Sequence, residues 1–338
     1  MHIPPTYQLT RKITVSLQEI ERLKARLDYY ATDKTLEKYS RQKSLLKSSL
    51  FSARIEGNPQ TLEQFENGGW INSREKQKLE VANLYRALEY VLSKSWRSDV
   101  TLDDLKFIHN QVMDGLSRET GFLRTEPSAI YNTAGIAIYV CPLPNEIKPL
   151  LQQLLVYVNQ DFEPIIPIKT ALSHIVFEKI HPFLDGNGRL GRLLIHLVLK
   201  KWQYDFRGLA PVEEYLDNNR QTYYDLLAEN KQDRTEFIEF FLEGLIYGLK
   251  IGVSEKEIQK NKLQTPEQKL PPRRYEILQI IKDHKIVSFD FIKRRFFAIP
   301  SRTLRYDLKQ LTDKQFIQKR GVTRGVVYEI IETEKKVT

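Results

Sequence analysis

Two apolar runs of helical period are separated by His181-Pro182-Phe183-Leu184-Asp185-Gly186-Asn187-Gly188-Arg189-Leu190-Gly191-Arg192, and no other part of this 338-residue chain constrains its fold as strongly. Before the interruption Leu172, Ile175, Val176 and Ile180 recur at helical spacing, and after it Leu190, Leu193, Leu194, Leu197 and Val198 do the same. Pro182 disfavours the α region at His181 and so ends the first helix there. Asp185-Gly186 and Asn187-Gly188 are turn dipeptides. The expected unit is helix over 168–180, compact glycine-rich loop, helix over 189–202, with His181 projecting from a helix end. A β-hairpin would also use Asn-Gly or Asp-Gly, but the flanks run at helical period, not at strand period.

Such a loop aims successive backbone N–H groups at one point, and the helix that follows adds the positive end of its dipole, so the pocket favours an anion. Gly186 and Gly188 allow close approach because they carry no Cβ. Arg189 and Arg192 fall in or near the first turn, where the dipole disfavours cations and no carboxylate among the next residues offsets them. A polyphosphate would supply the missing negative charge.

The twelve residues match every specified position of the Fic signature, His-Pro-Phe-x-Asp-Gly-Asn-Gly-Arg-x-x-Arg, and on them the chain resembles the Fic family. The resemblance implies a mainly α fold: a helical bundle with a β-hairpin flap. It also implies transfer of AMP from ATP to a hydroxyl of a target protein. His181 would be the general base and Asp185 the Mg²⁺ ligand. Asn187 with the Gly186 and Gly188 amides would hold the α- and β-phosphates, and Arg189 and Arg192 the outer phosphates. These roles are chemically consistent: imidazole suits proton abstraction near neutral pH, and Mg²⁺ needs only one or two carboxylates beside phosphate oxygens and water. ATP and Mg²⁺ are therefore the expected substrate and cofactor.

Upstream, Ser52-Ala53-Arg54-Ile55-Glu56-Gly57 closes a helix, with Gly57 as its C-terminal cap and Asn58-Pro59 preventing continuation. Ser52 and Glu56 share a face. Glu56 stands at the negative helix end, where a carboxylate is unfavourable unless paired. The segment resembles the inhibitory motif of class II Fic proteins, Ser/Thr-x-x-x-Glu-Gly/Asn, which implies that Glu56 pairs with Arg192 and keeps the γ-phosphate from seating. Further along, Asn219-Arg220-Gln221-Thr222-Tyr223-Tyr224 resembles the Fic segment whose tyrosines line the adenine pocket. Tyr223 and Tyr224 fit either that role or an ordinary amphipathic core.

The rest of the chain reads as helices. Apolar periodicity marks them at Leu17–Tyr30, Leu45–Ile55 and Leu84–Leu92, in a region of residues 1–98 that carries the inhibitory helix. Thr101 with Asp104 resembles a capping box, opening residues 99–250, the expected catalytic core, with further helices over 145–159, 217–228 and 235–250. From 121 to 144 glycine, proline and β-branched residues accumulate, and Ile136, Ile138 and Val140 alternate with Ala137, Tyr139 and Cys141, which reads as a hairpin. In the family such a flap aligns the target by strand addition, here around residues 131–141. A single cysteine excludes an intramolecular disulfide, and no apolar segment reaches membrane-spanning length, so a soluble cytoplasmic protein is expected. Family resemblance also brings in homodimers.

Residues 251–270, rich in Lys, Gln and Glu, read as a linker. Residues 271–338 hold 16 lysines and arginines against 8 acids, so nearly all of the net charge of +9 resides there. Their expected order is helix over 275–285, helix over 289–296, a helix capped by Ser301 over 302–312, then two strands around 321–325. That order resembles a bacterial winged helix-turn-helix domain, a small α+β module. Arg302, Arg305 and Lys309, with Arg324 in the wing, could meet DNA. A second class of function follows: a DNA-binding regulator whose helical domain senses nucleotide without turnover. A sensor has no need of His181 beside the phosphates. Removal of AMP, or transfer of another nucleotide, remains open within the enzyme class.

Overall fold

The computed structural model describes residues 2–29, 34–65, 70–131, 137–263, 270–297, 299–321 and 326–331. The chain divides into two compact units, Met1–Glu257 and Ile258–Thr338. The first is built from α1 (Arg11–Tyr29), α2 (Lys34–Ile55), α3 (Lys76–Ser93), α4 (Leu102–Met113), α5 (Pro144–Asn159), α6 (Ile166–Ile180), α7 (Asn187–Lys201), α8 (Glu213–Asn218), α9 (Arg220–Ala228) and most of α10 (Thr235–Leu263), which crosses the division at Glu257. Two short strands, β1 (Ala129–Tyr131) and β2 (Ala137–Val140), interrupt the helices.

Helix α6 is the axis. Every residue from Pro167 to Ile180 is buried, so this helix has no solvent face, although Lys169, Thr170, Ser173, His174, Glu178 and Lys179 are among them. It divides the interior. On one side Leu84, Leu88, Ile108 and Leu151 pack with Val176, Phe177 and Leu194. On the other, Ile13, Ile20, Phe237 and Phe241 pack with Leu172, Ile175 and Ile195. Helix α7 pairs with α6 and contributes to both cores, so the loop between them is held at both ends by buried side chains.

Local chemistry sets several boundaries. Thr101 and Asp104 form a reciprocal capping box at the start of α4: the Thr101 hydroxyl accepts from the Asp104 N–H at 3.2 Å, and the Asp104 carboxylate accepts from the Thr101 N–H at 2.9 Å. Helix α2 ends in a paired turn, the Gly57 N–H bonding the Arg54 carbonyl at 2.9 Å and the Asn58 N–H the Ala53 carbonyl at 3.1 Å. Gly57 sits at φ 96°, which an L side chain rarely adopts. The hairpin forms with Ala129 opposite Val140, Ile130 opposite Tyr139 and Tyr131 opposite Ala137. Residues 132–136 of the expected flap lie outside the described residues, as does Tyr30. Val140 faces outward while Tyr139 turns in, its ring 3.8 Å from the Lys179 ammonium.

Three expectations need correction. Residues 251–263, read as linker, continue α10 as helix. Two of the acids in this stretch reach other helices, Glu255 pairing with Lys43 at 3.1 Å and Glu257 with Arg26, and Val253 is buried. Residues 217–228 do not form one helix, because the chain breaks at Asn219 between α8 and α9. Ser301 is the first residue of its helix, not its cap.

The second unit contains α11 (Pro272–His284), β3 (Ile286–Ser288), α12 (Phe289–Arg295), α13 (Ser301–Asp313), β4 (Ile317–Arg320) and β5 (Val327–Ile330). The strands form an antiparallel sheet in the order β3-β5-β4. Leu304, Leu308 and Leu311 of α13 pack with Ile277, Ile281, Ile292 and Ile317. The buried Asp307 carboxylate accepts from Arg273 at 2.5 Å and Arg274 at 2.8 Å. No described helix is long and apolar enough to cross a membrane.

Leu308→Ala is expected to destabilise this unit by about 2–5 kcal/mol. All three tryptophans lie before residue 258, so tryptophan fluorescence in urea should keep its midpoint while far-ultraviolet circular dichroism gains an earlier transition. A shift of equal size in both signals would contradict separate cores.

Candidate active site

His181 caps α6 and leaves the right-handed region as Pro182 requires, adopting φ 49° and ψ 59°. A left-handed histidine costs of order 1–3 kcal/mol and persists only where its surroundings hold it. Arg124 does the holding. Its Nε donates to the His181 carbonyl at 2.8 Å and its N–H to the Pro182 carbonyl at 2.9 Å. Its remaining guanidinium nitrogens reach the Glu126 carbonyl at 2.8 Å and the Pro142 carbonyl at 2.6 Å. The His181 Nδ1 lies 3.4 Å from the Glu178 carbonyl oxygen. Burial lowers the His181 pKa and outweighs that contact, so the ring is neutral at pH 7.

The loop is braced from behind. The Asn187 carboxamide accepts from the Phe183 N–H at 2.8 Å and donates to the Phe183 carbonyl at 2.8 Å. The side chain expected to meet phosphate thus closes the loop, and because the Gly186 N–H donates to the Asp185 carboxylate at 2.6 Å, the N–H groups of Asn187 and Gly188 are the backbone donors this segment keeps for a ligand. The His109 ring stacks on Phe183 with centroids 3.9 Å apart. Its Nδ1 accepts from the Gly121 N–H at 2.8 Å, so Nε2 carries the proton and donates to the Asp185 carbonyl at 2.9 Å. Gly186 leaves space for this packing, since a Cβ there would lie 2.7 Å from the Met113 sulfur.

Both arginines of the loop meet carboxylates that are distant in sequence. The Arg189 guanidinium donates to Glu80 at 2.7 Å and to Asp185 at 2.8 Å, and the second Glu80 oxygen accepts from Asn58 at 2.8 Å. Arg192 is only 1% exposed; its Nη2 donates to Glu56 at 2.7 Å and to the Ser52 carbonyl at 2.9 Å, and its Nε donates to the Ser52 hydroxyl at 2.8 Å. Burial raises the Glu56 pKa, but attraction to and hydrogen bonding with Arg192 win, leaving its carboxyl below the usual value of 4.5. Gly188 accommodates this contact, because a Cβ there would collide with the Glu56 carboxylate. Glu178 is a second buried acid near Arg192; burial pushes it up to about 8, so it is mostly protonated at neutral pH. A Cβ on Gly191 would collide with its carboxyl group.

The paired tyrosines part company. Tyr223 is a core residue, correcting its reading as an adenine contact: its hydroxyl donates to His174 Nε2 at 2.8 Å, and His174 Nδ1 donates to the Gly191 carbonyl at 2.9 Å. Tyr224 is half-buried, with its hydroxyl 3.3 Å from the Ile55 carbonyl beside Glu56. Sequence reasoning missed Arg124, His109, Glu80 and Asn58. Only Asn58 had a local signal, as the residue following the helix-ending glycine.

Among the described residues no three His, Cys, Asp or Glu side chains form a metal cluster. Asp185 suits Mg²⁺ nonetheless. Its side chain is 64% exposed and only one oxygen is engaged, by the Gly186 N–H at 2.6 Å and by Arg189. One carboxylate beside phosphate oxygens and water is enough for this ion.

A neutral imidazole, an amide-lined turn and two buried guanidiniums are brought together at one end of a helix pair in a mainly helical protein. Comparison with known proteins gives the same region a family. Residues 99–199 match the Fic/DOC family, and the chain carries a Fic domain homologous to Fic protein adenylyltransferases. The Protein adenylyltransferase Fic of Drosophila grimshawi is 28% identical over 202 residues, covering 57% of this chain and 39% of the relative. That of Drosophila melanogaster is 26% identical over 201 residues, with the same coverage of each. The chain thus spans about two-fifths of the length of these relatives. A Fic family protein from Desulfovibrio desulfuricans superposes with a TM-score of 0.77 at 23% identity, covering 99% of this chain and 100% of that one. Fic-1 from C. elegans gives 0.55 at 20% identity, covering 75% and 74%. The fold is shared with both.

Because the folded pKa of Glu56 lies below its unfolded value, the stabilisation from its ion pair is complete above about pH 4.5 and disappears as pH falls through the folded value. Carbon-13 titration of the Glu56 carboxyl should give a midpoint below 4.5; one near 6 would refute the pairing. Glu80→Ala leaves Arg189 with Asp185 alone and is expected to cost about 1.5–3 kcal/mol, measured as a lowered urea midpoint.

Proposed function

We propose that this chain is a protein adenylyltransferase that moves AMP from ATP to a Ser, Thr or Tyr hydroxyl of a target protein and is held inactive by Glu56 on Arg192. The observation that carries the reading is the placement of a neutral imidazole beside a braced, amide-rich loop whose arginine is occupied by an internal carboxylate. With the Nδ1 proton directed at the Glu178 carbonyl, His181 keeps its Nε2 lone pair for the acceptor hydroxyl. The acceptor oxygen would attack the α-phosphorus as its proton passes to Nε2, and the bond from the α-phosphorus to pyrophosphate would break. Arg189, Arg192 and the loop amides would stabilise the charge on the phosphates. Mg²⁺ held by Asp185 would neutralise phosphate charge. The target segment would dock along the β2 edge as an added strand. Tyr224 would stand at the adenine side, next to the inhibitory helix end.

Inhibition follows from competition for Arg192. Glu56→Gly is expected to raise labelling of the protein itself or of lysate proteins from α-labelled ATP at least tenfold over wild type. His181→Ala added to that variant should abolish it. Labelling that is indifferent to His181 would refute the catalytic assignment, and no gain from Glu56→Gly would refute the inhibitory one.

A second reading concerns the C-terminal unit, which we propose to be a winged helix that binds DNA. Its support is α13, whose core face is apolar while Arg302, Arg305 and Lys309 are exposed. Arg324 lies outside the described residues. Gel shifts of the full chain should show binding that weakens from 50 to about 200 mM salt and is lost in Arg302→Glu/Lys309→Glu. Absence of binding at low salt would leave this unit a protein-docking module.

A further inference from the structure

A cavity of about 370 Å³ lies against the outer side of the signature loop, lined by Glu119, Phe122, Leu123, Arg124, Glu126 and Leu184 among others. Leu184 is its only lining residue from the signature loop, and none comes from β2. Three features set its chemistry. Phe122 and Leu184 are 74% and 58% exposed, which is unusual for large apolar side chains and leaves an unpartnered greasy wall. Glu119 and Glu126 enter hydrogen bonds only through their backbone, and neither carboxylate has an ion-pair partner among the described residues. Arg124, the one cation of the lining, is buried with its guanidinium turned onto the carbonyls of His181, Ile180, Pro142 and Glu126.

An apolar wall with two free carboxylates at its rim complements one kind of side chain, an aliphatic stem carrying a cation. The location gives this complementarity a use. Arg124 lines the cavity and also fixes the backbone of His181 and Pro182, so one side chain connects the pocket to the residue that carries the base. Leu184 stands at the unspecified position of the signature, where its side chain is free to serve recognition.

We infer that this cavity is a specificity pocket that takes a lysine or arginine of the target polypeptide close to the acceptor hydroxyl. The inference rests on the adenylyl-transfer reading and adds the class of substrate. A basic residue in the pocket anchors the target from one side of the loop while the β2 edge holds its backbone. The pocket therefore selects which hydroxyl reaches His181.

The test uses the full-length Glu56→Gly protein, α-labelled ATP, Mg²⁺ and acceptor peptides that differ only in one flanking residue within three positions of the hydroxyl: Lys or Arg, Leu, or Glu. Peptides with Lys or Arg should be labelled with kcat/KM at least tenfold above those with Leu, and further above those with Glu. Glu119→Gln/Glu126→Gln should reduce the Lys and Leu peptides to equal rates, and Glu119→Lys/Glu126→Lys should favour Glu. Both positions are exposed, and unchanged thermal melting of the variants would confirm that they fold. Equal rates for all flanks, or a Leu preference that survives the glutamine variant, would overturn the pocket and leave adenylyl transfer standing. No labelling of any peptide, of lysate proteins or of the enzyme itself would overturn the transfer reading and this inference with it.

Discussion

A guanidinium that is 1% exposed needs a counter-charge, because an unpaired buried ion costs several kcal/mol. In this protein Arg192 obtains one from Glu56, a residue 136 positions earlier in the chain. Much of the surrounding architecture serves that contact. The paired turn at Gly57 ends α2 where Glu56 can reach, Gly188 leaves room for the carboxylate, and Ser52, one turn back on the same helix, occupies the Nε of the same arginine. Arg54 of this turn pairs with Asp217 at 3.1 Å, and Tyr224 holds the Ile55 carbonyl, so the helix end is fastened on two sides.

The loop that carries His181 is rigid for a different reason. Its polar atoms are satisfied by residues behind it: Arg124 on the His181 and Pro182 carbonyls, Asn187 on Phe183, His109 on the Asp185 carbonyl. Each of these holds backbone in place, so the amides of the first turn of α7 keep their direction without a ligand present. This is preorganisation, in which donors are aligned before charge develops. The fully buried α6 supplies the fixed base from which the loop departs.

Much of this was legible in the sequence because its causes are local. The pause between two helical periods, the Pro182 boundary, the Thr101 capping box and the Gly57 turn each depend on residues within a few positions. What escaped depended on partners brought in by folding. The polar stretch 251–263 resembles a linker until Lys43 and Arg26 are opposite its glutamates. Asn187 resembles a phosphate ligand until Phe183 curls back over it, and Tyr223 an adenine wall until His174 takes its hydroxyl. The three-residue β3 has one buried residue, Val287, and leaves almost no periodic signal. Of the two acids on Arg189, Asp185 lies four positions before it, while Glu80 is 109 positions away and leaves no local signal.

Fastening Glu56 to the body of the protein makes the carboxylate a tethered ligand for Arg192. Its effective concentration is set by chain geometry, on the order of millimolar or more for a short tether, and does not change with the amount of protein. Dilution therefore cannot release it, and a ligand that bound the open and closed arrangements equally would not release it at any dose. At constant pH, under the proposed inhibition, a ligand would shift the balance only by binding better where Glu56 is off Arg192. By reciprocity, such a ligand and an anion that takes Glu56's place on Arg192 would each strengthen the other's binding by the same factor.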